Sequence, residues 1–229
     1  MTNNKESILK FIGSGSAFNT KLGNNSAYYK EGNQMLLIDC GSNIFQRIKE
    51  NNLLEGIEHI HVLITHTHAD HVGSLADLVL FTYYSHGEFA KNKIIVYHPD
   101  KKSIYDLLNL NGCQQGIHYT LNSLPLHEHK VISAFESITI FPFQTTHVGE
   151  IESYGFEIEM TDEYIYYSGD TSEIHSLDLK ALTTNSYTEF YIDTCKADYE
   201  GNVHLSLLKL AELIPPEYRN KVWCMHLEE

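Results

Sequence analysis

Apolar and polar positions along the chain follow two different periods. Short runs rich in Ile, Val, Phe or Tyr, each bounded by Gly, Asn, Asp or Ser, fall at 8–12, 26–30, 35–39, 61–65, 93–97, 137–143, 154–159, 164–168, 189–193 and 221–226, and read as β-strands. Helical patterns lie between some of them, over 43–51, 71–84, 101–110, 175–183 and 204–213. The early strands follow one another directly, whereas the later ones alternate with helices. A mixed α/β sandwich with sheets inside and helices outside accommodates both arrangements. The 101–135 stretch, interrupted by Asn111-Gly112 and His127-Glu128-His129, reads as a variable loop, a lid or an arm. With no internal repeat and no Pro/Gly/Ser-rich linker, residues 1–229 read as one domain.

Composition narrows the partners. The chain carries 16 Lys+Arg against 30 Asp+Glu, a formal charge of −14, which repels phosphate backbones and disfavours a long nucleic acid held on a broad basic face. No apolar run approaches the roughly 20 residues of a membrane span, and the N-terminal segment 1–12, a polar start followed by a short interrupted apolar run at 8–12, does not make a signal sequence. Cys40, Cys113, Cys195 and Cys224 form no CxxC pair and no dense framework, so a cytoplasmic, reducing setting is expected.

Histidine is the compositional outlier, and position gives it meaning. His66, His68, Asp70 and His71 follow the apolar strand at 61–65 and precede a helical pattern, a junction that can turn several side chains toward one point. Nitrogen and oxygen donors packed within six residues suit zinc, with Mn or Fe also accepted by such a set.

The run has the His-x-His-x-Asp-His form of the metallo-β-lactamase superfamily. Three further segments in order, Phe11-Ile12-Gly13-Ser14-Gly15-Ser16-Ala17-Phe18, Asn24-Asn25-Ser26 and Leu36-Leu37-Ile38-Asp39-Cys40-Gly41, resemble the N-terminal third of its ribonuclease Z-like and small-molecule phosphodiesterase branch. The resemblance implies a four-layer αββα sandwich of two mixed β-sheets flanked by helices. It also implies one zinc ion held by His66, His68 and His147, a second held by Asp70, His71 and His226, and Asp170 bridging them. Two dications about 3.5–4 Å apart share a water, lower its pKa and neutralise phosphoryl or acyl oxygens. The resemblance implies attack by that metal-bound hydroxide, with Asp70 counted among the catalytic groups as well as the ligands.

Asp193, at a strand end, and His204, at a predicted helix start, resemble a pair of the ribonuclease Z-like members, which implies that the acidic residue orients a histidine that donates a proton to the departing oxygen. The acidic residue here is the shorter Asp, so its reach to His204 is a question for the structure. Such a donor helps expel an alkoxide and so favours phosphodiesters over lactones, thioesters or β-lactams on the same fold. Transfer-RNA 3′-processing relatives carry a basic arm, and the region between Tyr97 and Phe141 has Lys101 and Lys102 but no basic cluster. The expected substrate is therefore a small phosphodiester or cyclic nucleotide. A tRNA endonuclease, an acyl hydrolase and a non-catalytic metal-containing sensor are the alternatives. Relatives are commonly dimers, so a homodimer is one expectation.

Two other features have plainer readings. Tyr28-Tyr29, Tyr83-Tyr84 and Tyr166-Tyr167 offer rings that could stack on a base, but in alternating strands one of each pair faces the core and the other solvent. Gly13-Ser14-Gly15 lacks the Lys-Ser/Thr ending and following helix of a phosphate loop and reads as a tight turn.

Overall fold

A computed structural model describes residues 7–85 and 93–229. Residues 1–6, part of the N-terminal segment considered above for a signal sequence, lie outside them. Six strands, β1 (Lys10–Gly13), β2 (Ser26–Glu31), β3 (Gln34–Ile38), β4 (His59–Leu63), β5 (Ile94–His98) and β6 (Thr120–Ser123), form one sheet in sequence order. The second sheet runs β12-β11-β10-β9-β8-β7, from β7 (Lys130–Val131), β8 (Thr139–Gln144), β9 (Tyr154–Glu159), β10 (Tyr164–Tyr167) and β11 (Glu189–Asp193) to β12 (Val222–Met225). Both sheets are mixed. β3 to β6 are mutually parallel, as are β10 to β12, while β1–β2–β3 and β7–β8–β9–β10 pair antiparallel.

The period-2 alternation explains the layers. Along β3, Leu36 and Ile38 enter the core between the sheets, where they meet Ile140, Phe156, Ile158, Ile165, Tyr167 and Met225. Met35 and Leu37 point the other way, under helices α1 (Ile44–Glu50), α3 (Leu75–Ser85) and α4 (Lys101–Leu110), whose Ile44, Ile48, Leu78, Val79, Ile104 and Leu108 bury against them. On the far side of the second sheet, Tyr166, Phe190 and Ile192 pack against Leu182 of α5 (Ser176–Thr183) and Leu210 of α6 (Leu207–Leu213). Helix, sheet, sheet and helix are thus four layers around three apolar clusters, the αββα sandwich expected.

Several expectations need correction. The 101–135 stretch is not a lid. Beyond α4 it supplies β6, the edge of the first sheet, and β7, the edge of the second, and it buries Cys113, Tyr119, Leu121, Leu124, Ile132 and Phe135. The helix expected over 71–84 is two: α2 (Ala69–Val72) and α3, separated by Gly73 and Ser74, whose hydroxyl donates to the Gly41 carbonyl at 2.5 Å. The helix expected over 204–213 begins after Ser206, whose side chain accepts from the Lys209 N–H at 3.2 Å, so His204 stands outside it. The strand tyrosines do not divide between core and solvent either. Tyr166 and Tyr167 are both buried, one in each core, and Tyr28 and Tyr29 pack against the outer and inner clusters respectively.

Candidate metal centre

Strand direction gathers the candidate residues. β3, β4, β8, β10, β11 and β12 present Asp39, His66 and His68, His147, Asp170, Asp193 and His226 respectively at or just beyond their C-terminal ends, the edge at which open α/β sheets form sites. Asp70 and His71 sit on the short helix α2 that follows β4.

Local backbone chemistry fixes these positions. Asp39 and His226 adopt left-handed conformations, with φ of 63° and 57°, which a non-glycine residue holds only where surrounding contacts impose it. For His226 those contacts come from Leu227, whose N–H donates to Ser14 O at 2.8 Å and whose carbonyl accepts from Ser16 N–H at 2.9 Å. Before Asp170, Gly169 has φ of 60°, and a Cβ there would lie 2.4 Å from the Tyr154 carbonyl. Gly41 admits the Asp70 carbonyl to within 1.9 Å of where its own Cβ would be.

The histidines are held from behind and turned inward. A carboxylate only accepts, so His71 Nδ1–H donates to Asp39 Oδ2 at 2.8 Å, leaving the Nε2 lone pair toward the site. His147 Nδ1–H donates to the Val203 carbonyl at 3.1 Å, again freeing Nε2. The Thr65 hydroxyl donates to Asp39 Oδ2 at 2.8 Å and accepts from His66 Nδ1–H at 3.0 Å. His226 turns Nδ1 to Asp193 Oδ1, 3.4 Å away, and Nε2 to Asp70 and Asp170. This is the outer support that metal-ligating histidines use.

The inward atoms fit metal coordination. His66 Nε2 lies 3.0 Å from His68 Nδ1, which is 3.4 Å from His147 Nε2. In a second group, Asp70 Oδ2 lies 3.3 Å from His71 Nε2 and 3.2 Å from His226 Nε2, and Asp170 Oδ1 and Oδ2 lie 3.4 Å from His71 and His226. Asp170 also reaches the first group, with Oδ2 3.9 Å from His66 Nε2 and 3.8 Å from His147 Nε2. Two donors bound tetrahedrally to one zinc at about 2.05 Å are about 3.3 Å apart, the spacing seen in both groups. His71 Nε2 and Asp170 Oδ1 are buried with no hydrogen-bond partner among the described residues. Buried polar atoms left this way are costly unless a cation sits between them.

Electrostatics point the same way. Burial alone would lower the His226 pKa, but the charges and hydrogen bonds of Asp170, Asp193 and Asp70 raise it to about 10. Burial would raise Asp70, and the hydrogen bond from His226 and the closeness of His71 hold it well below the usual carboxylate range instead. Buried carboxylates here recruit positive charge from whatever is at hand, and dications would supply it.

Beside this cluster, Asp193 reaches His204 despite its short side chain. His204 Nδ1–H donates to Asp193 Oδ2 at 2.7 Å, and that oxygen also accepts the Thr171 N–H at 2.9 Å. Burial lowers the His204 pKa, but the Asp193 hydrogen bond and charge outweigh it and raise the pKa overall. His68, Asp70, His147, Asp170, His204 and His226 all line one cleft of about 430 Å³, within the range of small-molecule sites. All nine site residues read from the sequence therefore converge. Asp39 and Thr65, which support His66 and His71, carried no assigned role in that reading. The Asp39 signal was an acidic residue ending an otherwise apolar strand.

These features define a metallo-β-lactamase fold with a candidate His/Asp metal site. Its backbone is similar to human tRNase Z, short form, at a TM-score of 0.73 and 16% identity over 96% of this chain and 93% of that one. It is also similar to Zn(2+)-bound PqqB from Methylobacterium extorquens, at a TM-score of 0.70 and 16% identity over 96% and 89%. Residues 8–229 match the family described as Anti-Pycsar protein Apyc1, and the chain belongs to that family. A relative of that description from Bacillus phage BSP38 is 32% identical over 95% of this chain and 88% of its own length. Among the described residues no helix is long and apolar enough to cross a membrane.

Proposed function

We propose that the chain is a dinuclear zinc phosphodiesterase that opens a cyclic nucleotide, or a similarly small phosphodiester. The observation that carries the reading is Asp170, whose carboxylate faces both donor groups at once. His66, His68 and His147 would hold one ion; Asp70, His71 and His226 the other. Such ions lower the pKa of bound water and neutralise phosphoryl oxygens. Zinc is the ion we assign from the donor set, which also accepts Mn or Fe.

The chain's own residues do the rest. Asp193 fixes the tautomer and orientation of His204, so that Nε2 is the atom from which a proton passes to the departing ester oxygen. Asp70 holds its negative charge between His71 and His226 and would offset part of the charge of an ion bound there. Asp39 and Thr65 keep His71 and His66 aimed. Membership of the Anti-Pycsar family supports a cyclic nucleotide over transfer RNA, as do the charge of −14 and a 101–135 stretch built into the sheets. We also place the protein in the cytoplasm, since all four cysteines are free thiols. Incubation of purified protein with 3′,5′-cyclic nucleotides, a phosphomonoester and a thioester or lactone tests the reading. Opening of the cyclic nucleotide to a monophosphate supports it, and turnover of the acyl substrate alone overturns it.

A further inference from the structure

The cleft has an aromatic residue that neither the metal cluster nor the proton donor uses. Phe18 lines it together with Ala17 and is 90% exposed. A lone exposed phenyl needs no explanation by itself. This one differs because both of its neighbours are pinned. The Ala17 carbonyl accepts from Asn24 Nδ2 at 3.2 Å. Asn19, itself buried, donates through Nδ2 to the Leu227 carbonyl at 2.9 Å and accepts the Leu22 N–H at 3.1 Å.

The same loop is closed by Gly15 N–H donating to Gly23 O at 2.7 Å, and Arg47 Nη2 donates to the Lys21 carbonyl at 2.9 Å. Leu227 directly follows His226. One peptide therefore ties the base of the Phe18 loop to a candidate metal ligand, and the backbone that carries the ring is fixed at the rim of the same cleft. An aromatic face presented this way suits a planar heterocycle, because every nucleobase has a π-face to stack on it.

We infer that Phe18 is the platform on which the nucleobase of the substrate stacks while its phosphate lies at the His/Asp cluster. The inference rests on the phosphodiesterase reading for the identity of the substrate but not for its test. Calorimetry on the metal-loaded protein compares adenosine 5′-monophosphate with ribose 5-phosphate, which differ by the base. The wild type binds the nucleotide more tightly, Phe18→Ala loses most of that preference, roughly five- to a hundredfold in Kd, and Phe18→Trp restores it. In turnover of a cyclic nucleotide the same loss falls on KM more than on kcat.

A preference that survives in Phe18→Ala overturns the platform, as does a wild type that binds both ligands equally or neither. A Phe18→Ala protein that changes its oligomeric state while keeping the preference also overturns it, by making the ring a subunit contact. If the preference depends on Phe18 and no cyclic nucleotide is turned over, the phosphodiesterase reading fails and the platform stands.

Discussion

His204 donates its Nδ1 proton to Asp193 at 2.7 Å, and the other oxygen of the same carboxylate faces His226 Nδ1 at 3.4 Å. One carboxylate thus braces both the candidate proton donor and a candidate metal ligand, and the two roles can be separated by choice of substrate. His204→Ala is expected to lower kcat on a cyclic nucleotide by roughly 10²- to 10⁴-fold, the usual contribution of a general acid. On bis(p-nitrophenyl) phosphate, whose leaving group departs without a proton, the loss should be far smaller. Equal losses on both substrates would assign His204 to structure.

Asp193→Ala should do more than His204→Ala, because it also frees His226. Zinc affinity measured by chelator competition should fall by roughly ten- to a hundredfold, as for other supports behind a metal ligand, whereas His204→Ala should leave it within about twofold.

Asp39 gives a parallel case from the other sheet. Its carboxylate accepts from Thr65 N–H and from the Thr65 hydroxyl, both at 2.8 Å, as well as from His71. Asp39→Ala strands these buried donors and gives up a left-handed position, so thermal unfolding should report a loss of about 1–3 kcal/mol. Asp39→Asn tolerates the same backbone and should recover much of the stability but not the metal affinity.

A half-buried cluster away from the site sets a pH dependence. Asp178, in the first turn of α5, is raised to about 6 by burial and by the Glu157 charge, against the opposing pull of His175 and of hydrogen bonds from Tyr166 and Tyr187. Its folded pKa exceeds the unfolded value near 3.9, so the folded state binds more protons between the two. The group's favourable contribution is complete below about pH 4 and is lost as pH rises through about 6. Asp178→Asn should therefore be more stable than wild type at pH 7.5, by about 1 kcal/mol once partial exposure is discounted. That gap in Tm should close toward pH 5. A constant gap from pH 5 to 8 would contradict the assignment.

Much of this was legible in the chain because the signals were periodic or clustered. The alternation Met35-Leu36-Leu37-Ile38 sends two residues to each core, and the run from His66 to His71 sits where a parallel strand ends. His147, Asp170 and His226 were reached through resemblance; spacing alone does not show that three strand ends meet. What escaped was set by tertiary contact. β6 and β7 are too short to show a period and exist as edges of sheets assembled elsewhere. Asp39 looks like a strand terminus until its left-handed turn aims it at His71. Tyr166 and Tyr167 alternate as strands require, but a four-layer sandwich has no solvent face at that strand for either to meet.

The central claim, a two-ion centre joined by Asp170, is tested most directly by adding zinc back to chelator-stripped protein while following cyclic-nucleotide turnover. Activity should be absent without metal and should saturate at two equivalents per chain, and Asp170→Ala should not recover it. Full activity at one equivalent, or in the stripped protein, would contradict the account.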